Sequence, residues 1–256
     1  MQVNFLFEEF YSFIYGERWP GLRESLLQPA VSIPYTQGLT KPYMMDYASV
    51  LAALSLRLPE TGIILDACAA PGGKSLVLAS RMGSGTILAA NELSADRRRI
   101  LSGILNECLD AEKRKQVRVY GMDAAKMGSM KREQEKYDAI LMDVPCSSER
   151  HVIGDAKALS QWTTARPRFL SVRQWSLLSA AFRLLRKGGS LVYSTCSINP
   201  AENDGVVRRL FLKYGDQVQI DEPEFAEGEK TEYGRIILPD KCGAGPMYVA
   251  RLGKNC

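Results

Sequence analysis

From about Gly62 onward, short runs of apolar residues alternate with longer amphipathic stretches. This alternation is typical of an α/β protein, because each helix carries the chain back across a parallel sheet to the start of the next strand. The predicted strands are Gly62–Ala67, Gly85–Glu92, Val117–Asp123, Tyr137–Pro145 and Ser190–Thr195. The predicted helices are one that begins at Ser75 and three that span Ser94–Leu109, Ser171–Gly189 and Asn199–Gly215. The sequence therefore predicts an α/β fold with a mostly parallel sheet.

The first 60 residues break this rhythm. The stretch "FLFEEFYSFIYGERW" is helix-like, whereas "QPAVSIPYTQGLTKPYMMDYAS" contains three prolines and is predicted as a loop. We therefore predict an N-terminal extension, residues 1–60, packed on one α/β domain of residues 61–256. Near the end of that domain, Gly234–Pro239 and Met247–Leu252 are predicted to form a closing antiparallel pair of strands.

The composition limits the classes of protein to which the chain can belong. Of its 256 residues, 46% are apolar and 24% are charged, which suits a globular protein with a sizeable core. No apolar run is long enough to cross a bilayer. The start, "MQVNFLFEEFYSF", carries two glutamates and no basic residue, unlike a secretion signal. We therefore expect a cytoplasmic protein, and its net charge of +4 is compatible with a nucleic-acid partner.

Six cysteines are scattered along the chain without a Cys-x-x-Cys pair. In a chain with no export signal, this spacing argues against a disulfide framework and against a structural zinc site, so no metal is predicted. Because His151 is the only histidine, thiol or carboxylate chemistry is favoured over chemistry that needs a histidine base.

The segment "LDACAAPGGKS", residues 65–75, joins the first predicted strand to the first predicted helix. It is not a Walker phosphate loop, because Cys68 stands where that motif requires glycine. It also lacks the Gly-x-Gly-x-x-Gly pattern, which argues against a NAD-dependent dehydrogenase. What remains is a turn of small residues, stiffened by Pro71, that lets a ligand lie against backbone amides at a helix N-terminus. Lys74 can reach a carboxylate beside that ligand.

Acidic residues stand at or near the carboxyl ends of the first three strands, at Asp66, Glu92 and Asp123. Glu92 follows the loop by about twenty residues, the spacing at which an acidic residue holds ribose hydroxyls in nucleotide-binding folds. Asp123 is placed to meet an adenine edge. Without a phosphate-binding loop, this series suits an adenosine that carries an amino acid, such as S-adenosylmethionine. The alternative, that the carboxylates only cap helices and turns, stays open for each residue alone and is weaker for the ordered set.

Two cysteines follow the fourth and fifth predicted strands. Asp143 and Cys146 lie in "MDVPCSSERH", and Cys196 lies in "VYSTCSINPAEN". Both strand ends of an open α/β sheet face the ligand crevice, so the thiols and the carboxylate are expected to converge. A lone cysteine is usually inert and buried, but polar turns of Pro, Ser and Thr favour a reactive role here. A thiolate that adds to carbon-6 of cytosine makes carbon-5 nucleophilic, and Asp143 is the candidate to bond ring nitrogen-3.

Together, "LDACAAPGGKS", "MDVPCSSERH" and "YSTCSINPAEN" resemble the Nol/Nop/Sun family of RNA cytosine-5 methyltransferases, which use S-adenosylmethionine. The resemblance runs from about Tyr43 to the C-terminus. The segment "DVPCSSERH" is most similar to the Sun-type branch that acts on small-subunit ribosomal RNA. The resemblance implies a class I, Rossmann-like S-adenosylmethionine-dependent methyltransferase domain over residues 61–256.

The family's motifs imply which residues bind the methyl donor. The donor would be lined by Cys68, Ala69, Ala70, Pro71, Gly72, Gly73 and Lys74. Glu92 would bind the ribose with Arg97 close by, and Asp123 would contact adenine. Two positions depart from the family pattern: Ala67 replaces a bulkier apolar residue, and Glu92 replaces the more common Asp. Glutamate can still bridge a diol, so neither departure puts the activity in doubt.

The resemblance also assigns the reacting groups. Asp143 would lie near both the donor and the base, Cys196 would be the nucleophile, and Cys146 would assist product release. Spacing alone does not show which of the two thiols attacks the base. The family's RNA enzymes attack with the cysteine of Thr-Cys-Ser, and DNA enzymes attack with the cysteine of Pro-Cys. A DNA cytosine-5 methyltransferase would also need a second domain to read its target, and the span after Cys196 is too short for one.

The implied activity is therefore RNA cytosine-5 methylation, acting on ribosomal RNA. Two alternatives remain: a tRNA cytosine-5 methyltransferase, and a non-catalytic S-adenosylmethionine-binding factor for ribosome assembly. The presence of Asp143, Cys146 and Cys196 weighs against the non-catalytic alternative.

Cytosine inside a duplex hides both faces of carbon-6, so the target must be flipped out or come from a loop. The candidate RNA-binding residues are Arg150, His151, Arg166, Arg168 and Arg173. Aromatic residues that stand among them are expected to stack bases, namely Trp162, Phe169 and Trp175. The basic stretch "EKRKQVR" is predicted instead as a solvated helix face. Because no separate RNA-binding module is visible, specificity is expected to come from folded or ribosome-bound RNA or from a partner protein.

Overall fold

The computed structural model describes residues 4–255, and its first elements precede the main sheet. They are α1 (Phe5–Tyr15), α2 (Trp19–Leu27), β1 (Ser32–Tyr35), β2 (Tyr43–Asp46) and α3 (Tyr47–Leu54). The segment predicted as a loop therefore contains an antiparallel pair, β1 and β2, and the start of a helix. Pro34 is tolerated in β1 because a two-stranded ribbon leaves one edge of each strand unpaired. α3 begins after Asp46, whose carboxylate accepts the N–H of Ala48 at 2.7 Å.

The remaining elements form the main sheet and its helices. The first half comprises β3 (Thr61–Asp66), α4 (Gly73–Arg81), β4 (Gly85–Asn91), α5 (Ala95–Cys108), α6 (Ala111–Lys115), β5 (Val117–Tyr120), α7 (Ala124–Met127) and β6 (Tyr137–Asp143). The second half comprises α8 (Glu149–Gly154), α9 (Ala156–Ser160), α10 (Ala165–Leu184), β7 (Leu185–Thr195), α11 (Asp204–Tyr214), β8 (Val218–Asp221), β9 (Glu229–Lys230), β10 (Arg235–Ile237), α12 (Pro239–Cys242) and β11 (Met247–Lys254). Within residues 4–255, no helix combines the length and the apolar character that a membrane span requires.

The sheet order is β5-β4-β3-β6-β7-β11-β10-β9, with β8 also paired to β11. The five strands from β5 to β7 are parallel, whereas β11 runs antiparallel to β7, β8 and β10. The predicted mostly parallel sheet and the predicted closing pair are both confirmed. After β3, the chain adds β4 and then β5 on one side of β3. It then adds β6 on the other side of β3, and β7 beyond β6. The carboxyl ends of β3 and β6 therefore border a topological switch point, where open α/β sheets bind their ligands.

Several element boundaries differ from the prediction. Helix α10 begins at Ala165, six residues before the predicted start, and contains Pro167. Proline fits a first helical turn because the N–H groups there have no helical acceptor. β7 begins at Leu185 and continues through Gly189, where an added Cβ would lie 2.9 Å from two backbone oxygens. The predicted helix Asn199–Gly215 begins only at Asp204, after a turn that contains Pro200.

The N-terminal helices pack against α8 and α9 through an aromatic cluster. The ring of Phe7 lies 5.0 Å from that of Trp162 and 5.9 Å from that of Trp19, and Tyr11 stacks on Trp19. Trp162 is only 2% exposed. The expectation that Trp162 stacks RNA bases is therefore wrong, because its ring is buried inside the protein. The division of the chain at residue 60 stays a prediction.

Candidate active site

The turn between β3 and α4 forms one wall of a cavity of about 180 Å³. Lining residues from the turn are Cys68, Ala69, Ala70, Pro71, Gly73 and Lys74, and the opposite wall comprises Tyr43, Met44, Met45, Asp46 and Ser49. Asp66 and Asp143 complete the lining at the ends of β3 and β6. Gly72 is not in this lining. It caps α4 with a φ of +131°, and a Cβ there would lie 3.2 Å from Ile104 and from Leu101.

Asp66 is a buried carboxyl group with one satisfied oxygen. Ser75 of α4 donates its hydroxyl to Asp66 Oδ2 at 2.7 Å. Among the described residues, Oδ1 has no hydrogen-bond partner. Burial is the main cause that raises the pKa of Asp66 to about 7, with a smaller contribution from Asp143. Asp66 lines the cavity, and although Oδ1 is itself buried, it is the candidate acceptor for a donor group of a bound ligand.

The ends of β3, β4 and β5 are tied together by Asn91. Its amide donates to the carbonyls of Ala67 at 3.1 Å and Met122 at 2.9 Å, and it accepts the N–H of Met122 at 2.8 Å. The next residue, Glu92, is 5% exposed and lies 3.2 Å from Arg97 Nη1. Arg97 also donates to the carbonyl of Ala70 at 2.7 Å. The predicted ribose-binding carboxylate is thus held beside the cavity turn by the residue predicted to lie near it.

Asp123 follows β5 and caps α7. Its Oδ1 accepts the N–H of Ala125 at 3.1 Å and contacts Arg173 Nη2 of α10 at 2.6 Å. The structure therefore places Arg173 against the proposed adenine-binding residue. Asp123 thus caps a helix, as the alternative interpretation of the strand-end carboxylates expects, and it is not part of the cavity lining. Its contact with adenine stays a prediction.

Lys74 links the cavity at the β3–α4 turn, which is predicted to hold the methyl donor and is called the donor cavity below, to the end of β6. Its ammonium group donates to Asp143 Oδ2 at 2.9 Å and to Ser49 at 3.1 Å. Burial by itself would lower the pKa of Lys74, but the Asp143 carboxylate outweighs burial and holds that pKa above its usual range. Asp143 Oδ1 also accepts the hydroxyl of Ser194 at 3.1 Å. The carboxylate is fixed at the strand end by one cation and one hydroxyl.

The two predicted reactive cysteines meet at the same edge of the sheet. The Sγ atoms of Cys146 and Cys196 lie 2.7 Å apart, and both residues are free cysteines. Ser148 Oγ lies 3.1 Å from the sulfur of Cys196 and 3.6 Å from that of Cys146. The contact with Cys196, followed by burial, raises the pKa of Cys146 well above its ordinary value. Cys146 therefore stays a thiol near neutral pH and can share its proton with the neighbouring sulfur.

A second cavity of about 340 Å³ opens beside Cys196. Its lining comprises Asp46, Ser49, Ser148, Arg150, His151, Cys196, Gly245, Pro246 and Met247. Asp46 and Ser49 line both cavities, so the two spaces adjoin. His151 is exposed at this rim, whereas Arg150 donates from Nη1 to the carbonyl of Gln28. The Nε and Nη2 atoms of Arg150 are buried and have no partner among residues 4–255.

The predicted RNA-binding arginines of α10 occupy different surroundings. Arg168 is exposed, and the neighbouring Phe169 is 75% exposed. Arg166 donates to the carbonyl of Ser147 at 3.4 Å, beside the Cys146 turn. Arg173 is engaged by Asp123, as described above. Trp175 packs under the guanidinium of Arg209, 5.0 Å from its ring centroid.

Sequence analysis missed Asp46, Ser49 and Asn91. Asp46 and Ser49 lie in the segment predicted as a loop, although "YMMDYAS" was part of the family resemblance. The signal that could have found them is Asp followed by an apolar helical run, a helix N-cap pattern close to a family motif. Asn91 stood next to the predicted Glu92, but its three hydrogen bonds depend on how neighbouring strands align.

The fold, with ligand-facing groups at the switch point, is that of the class I S-adenosylmethionine-dependent methyltransferases. The chain belongs to the family described as 16S rRNA methyltransferase RsmB/F, whose sequence model matches residues 53–253. This match confirms the resemblance to the Sun-type family.

Named relatives and a solved structure are similar to this chain. The 5-cytosine rRNA methyltransferase NSUN4 of Bos taurus is 34% identical over 233 residues, which cover 84% of this chain and 60% of the relative. The mitochondrial tRNA (cytosine(34)-C(5))-methyltransferase of Mus musculus is 31% identical, with coverage of 86% and 66%. The crystal structure of NSun6 from Pyrococcus horikoshii with SFG, an S-adenosylmethionine analogue, is 27% identical with a TM-score of 0.72, and the likeness covers 86% of this chain and 54% of that one. This chain thus spans less than two thirds of each of these proteins.

Proposed function

We propose that the protein is an S-adenosylmethionine-dependent RNA (cytosine-5)-methyltransferase that acts on ribosomal RNA through a covalent adduct with Cys196. The observation that carries the proposal is the 2.7 Å contact between the sulfurs of Cys146 and Cys196 beside the donor cavity. Membership of a 16S rRNA methyltransferase family supports it. Two thiols in polar turns at adjacent strand ends suit covalent catalysis better than a structural role.

The donor cavity fits S-adenosylmethionine, which supplies an electrophilic methyl group when bound. The unpartnered Oδ1 of Asp66 can accept a hydrogen bond from the ammonium group of the methionine moiety. The backbone from Cys68 to Gly73 would lie against the ligand at the start of α4. Glu92 would hold the ribose, with Arg97 fixing its carboxylate, and Asp123 would meet the adenine.

The cytosine would enter the second cavity, next to Cys196. The Cys196 thiolate would form a bond to carbon-6, and the electron pair of the carbon-5–carbon-6 double bond would become available at carbon-5. Carbon-5 would then take the methyl group, with the bond from that methyl to the donor's sulfur broken and its electron pair left on the sulfur. As a carboxylic acid, Asp143 would donate a hydrogen bond to ring nitrogen-3, which is an acceptor, and the positive charge of the adjacent Lys74 would stabilise the negative charge that develops on the ring. After a base takes the proton from carbon-5, the electron pair of that carbon–hydrogen bond would re-form the double bond, and the bond between carbon-6 and sulfur would break with its electron pair left on Cys196.

Cys146 would assist this release. The pKa of Cys146 is raised by its contact with Cys196, so it carries a proton near neutral pH. As Cys196 leaves carbon-6, it takes negative charge onto its sulfur. The thiol of Cys146, in contact with that sulfur, can donate a hydrogen bond to it and stabilise the leaving thiolate.

Ribosomal RNA is the proposed substrate, and tRNA is the alternative. The family description and the similar NSUN4 both refer to rRNA, whereas the similar mouse enzyme is described as acting on tRNA. Phosphate contacts would come from Arg150, His151, Arg166, Arg168 and Arg173. We also propose that folded rRNA or a partner protein supplies target specificity. Cytoplasm is the proposed compartment, and the name of the mouse relative makes the mitochondrion the alternative.

Two cysteine variants test the proposal. Cys196→Ala should lose methyl transfer to a small-subunit rRNA transcript while its affinity for S-adenosylmethionine is unchanged, because the donor cavity does not include Cys196. Cys146→Ala should instead accumulate a covalent protein–RNA adduct, seen as a slower band on a denaturing gel. Full activity of Cys196→Ala would refute the nucleophile, and transfer only to a tRNA transcript would favour the alternative substrate. No transfer by the wild-type protein to either RNA would favour the non-catalytic factor.

A further inference from the structure

Two buried glutamates lie behind the cysteine turns and take no part in the steps above. Glu149 begins α8, shortly after Cys146, and Glu202 follows the Cys196 turn; neither side chain is exposed. Burial of a carboxyl group is costly unless hydrogen bonds satisfy it. Their hydrogen bonds therefore show what these two groups stabilise.

Glu202 accepts hydrogen bonds from both cysteine turns. On the Cys146 side, Ser147 donates its backbone N–H to Glu202 Oε2 at 3.0 Å and its hydroxyl to Oε1. On the Cys196 side, Ser197 Oγ lies 3.0 Å from Oε1. The amide of Gln174 in α10 donates to Oε2 at 2.7 Å. One carboxyl group thus connects the residue after Cys146 to the residue after Cys196.

Glu149 holds the Cys196 turn from the other side. Its Oε2 accepts the backbone N–H of Ile198 at 3.1 Å, and its Oε1 lies 3.0 Å from Ser197 Oγ. Tyr11 of α1 donates its hydroxyl to the same Oε1 at 2.5 Å. The N-terminal helix therefore contributes directly to the support of the Cys196 turn.

The pair of glutamates shares Ser197 in a way that requires a proton. The hydroxyl of Ser197 has one proton to donate, yet it lies 3.0 Å from a carboxyl oxygen of each glutamate. Both contacts are hydrogen bonds only when one carboxyl group is protonated and donates to Ser197. Burial, followed by the charge of Glu149, raises the pKa of Glu202 to about 7, and burial also raises the pKa of Glu149. One shared proton leaves a single negative charge behind the thiols.

We propose that Glu202 is a positioning residue that, together with Glu149 and through Ser147 and Ser197, holds the Cys146 and Cys196 turns at the separation the reaction needs. The inference rests on the proposed function for the roles of the two thiols. Glu202 reaches neither sulfur by a hydrogen bond, so it acts only through the turns. A misplacement of about 1 Å at a reacting group can cost about a hundredfold in rate.

Replacement of Glu202 by Gln or by Ala separates geometry from charge. In Glu202→Gln, the amide oxygen can accept the two N–H donors, Ser147 and Gln174, that now meet Oε2. The amide nitrogen then faces the two hydroxyls, which can rotate to accept. The Gln variant therefore keeps every contact, whereas Glu202→Ala removes them all. Ser197→Ala, in case the Ala variant does not fold, removes the contacts of the Ser197 hydroxyl with Glu202, Glu149 and the Asn199 N–H, and it leaves the contacts of Glu202 with Ser147 and Gln174 in place.

Activity and donor binding should separate in these variants. We expect Glu202→Ala to lower kcat by about a hundredfold, with S-adenosylmethionine affinity within about twofold of wild type, because no donor-cavity residue contacts Glu202. Glu202→Gln should restore kcat to within about fivefold of wild type. A purely structural role would instead lower activity only in proportion to the folded fraction, with kcat per folded molecule unchanged.

Phenylarsine oxide measures the thiol geometry without RNA, because its arsenic binds two close thiols with release of water. The wild-type protein should bind it tightly, and Glu202→Ala or Ser197→Ala should bind it at least about tenfold more weakly. Cys196→Ala, which lacks one thiol of the pair, measures the background affinity for the arsenical. Glu133→Ala is the matched control, since Glu133 is also a buried glutamate whose carboxylate accepts hydrogen bonds from side chains, but it precedes β6 at the opposite end from Asp143.

The two measurements distinguish the inference from the function on which it rests. Unchanged arsenical affinity and unchanged kcat in folded Glu202→Ala or Ser197→Ala would overturn the positioning role while wild-type methylation stands. Absence of wild-type methylation would overturn the proposed function, and the arsenical result would still decide whether Glu202 sets the separation of the thiols.

Discussion

Asp66, which lines the donor cavity, makes the stability of the fold depend on pH. Burial raises its pKa from 3.8 to about 7. The folded protein therefore binds this proton more tightly than the unfolded chain between about pH 4 and pH 7. The stability that Asp66 contributes is complete below the unfolded pKa and is lost as the pH rises through the folded pKa. The contribution of Asp66 to the free energy of unfolding therefore falls as the pH rises through this window.

Asp66→Asn should remove this dependence, because the amide stays neutral at every pH. We expect the free energy of unfolding of wild type, relative to Asp66→Asn, to fall by about 1 kcal/mol per pH unit between about pH 4.5 and pH 6.5. Urea unfolding of both cofactor-free proteins across that range measures the difference. Glu149 and Glu202 also have raised pKa values but are present in both proteins, so their effects cancel. Parallel pH profiles for the two proteins would show that Asp66 is ionised throughout.

The individual site residues were predictable where strand position alone decides their place. Cys146 and Cys196 follow adjacent parallel strands, so any pairing in this order brings them to one edge. Asn91 was not predictable, because its partners, Ala67 and Met122, follow two other strands. Trp162 was misread because aromatic residues among arginines suggest base stacking in sequence, whereas the burial of Trp162, between α9 and α10, is set by packing against α1 and α2.

At the level of elements, the strands of the parallel sheet were predictable from the sequence, because β3, β4 and β6 each carry a continuous apolar run that is buried on both faces. β1 and β2 were missed because each has four residues, includes exposed positions and contains or follows a proline. The start of α10 was missed because residues 165–170 have no regular apolar period. Their helical structure depends on tertiary contacts, such as burial of Pro167.

Helix α1 offers a matched pair of phenylalanines for the contribution of its packing. Phe7 is fully buried against Trp19 and Trp162, whereas Phe13 on the same helix is 92% exposed. Phe7→Ala should lower the free energy of unfolding by about 3 to 5 kcal/mol, because it leaves a cavity in the aromatic cluster. Phe13→Ala should change it by less than about 0.5 kcal/mol. Denaturant unfolding of both variants tests this, and equal effects would mean that α1 does not pack on α8 and α9 as described.

At the level of the whole molecule, one edge of the sheet combines the proposed donor, base and thiol sites. The two cavities share Asp46 and Ser49, and Lys74 and Asp143 lie at their junction. α10 passes next to this edge, with Arg166 at the Cys146 turn and Arg173 at Asp123. Bound RNA that follows the exposed face of α10 would therefore lead its target base toward the second cavity.

The salt dependence of RNA binding tests this path, because each phosphate contact releases counterions and steepens the dependence. Arg168 is exposed on α10, and Arg118 is exposed on β5 in the stretch predicted to be only a solvated face. Arg168→Ala should weaken RNA binding and lower the slope of log affinity against log salt by about 1. Arg118→Ala makes the same change in net charge and should leave the slope unchanged, since a lost charge far from the RNA releases no counterion. Titration of a labelled rRNA fragment at several salt concentrations measures both slopes, and equal losses in the two variants would place the RNA elsewhere on the surface.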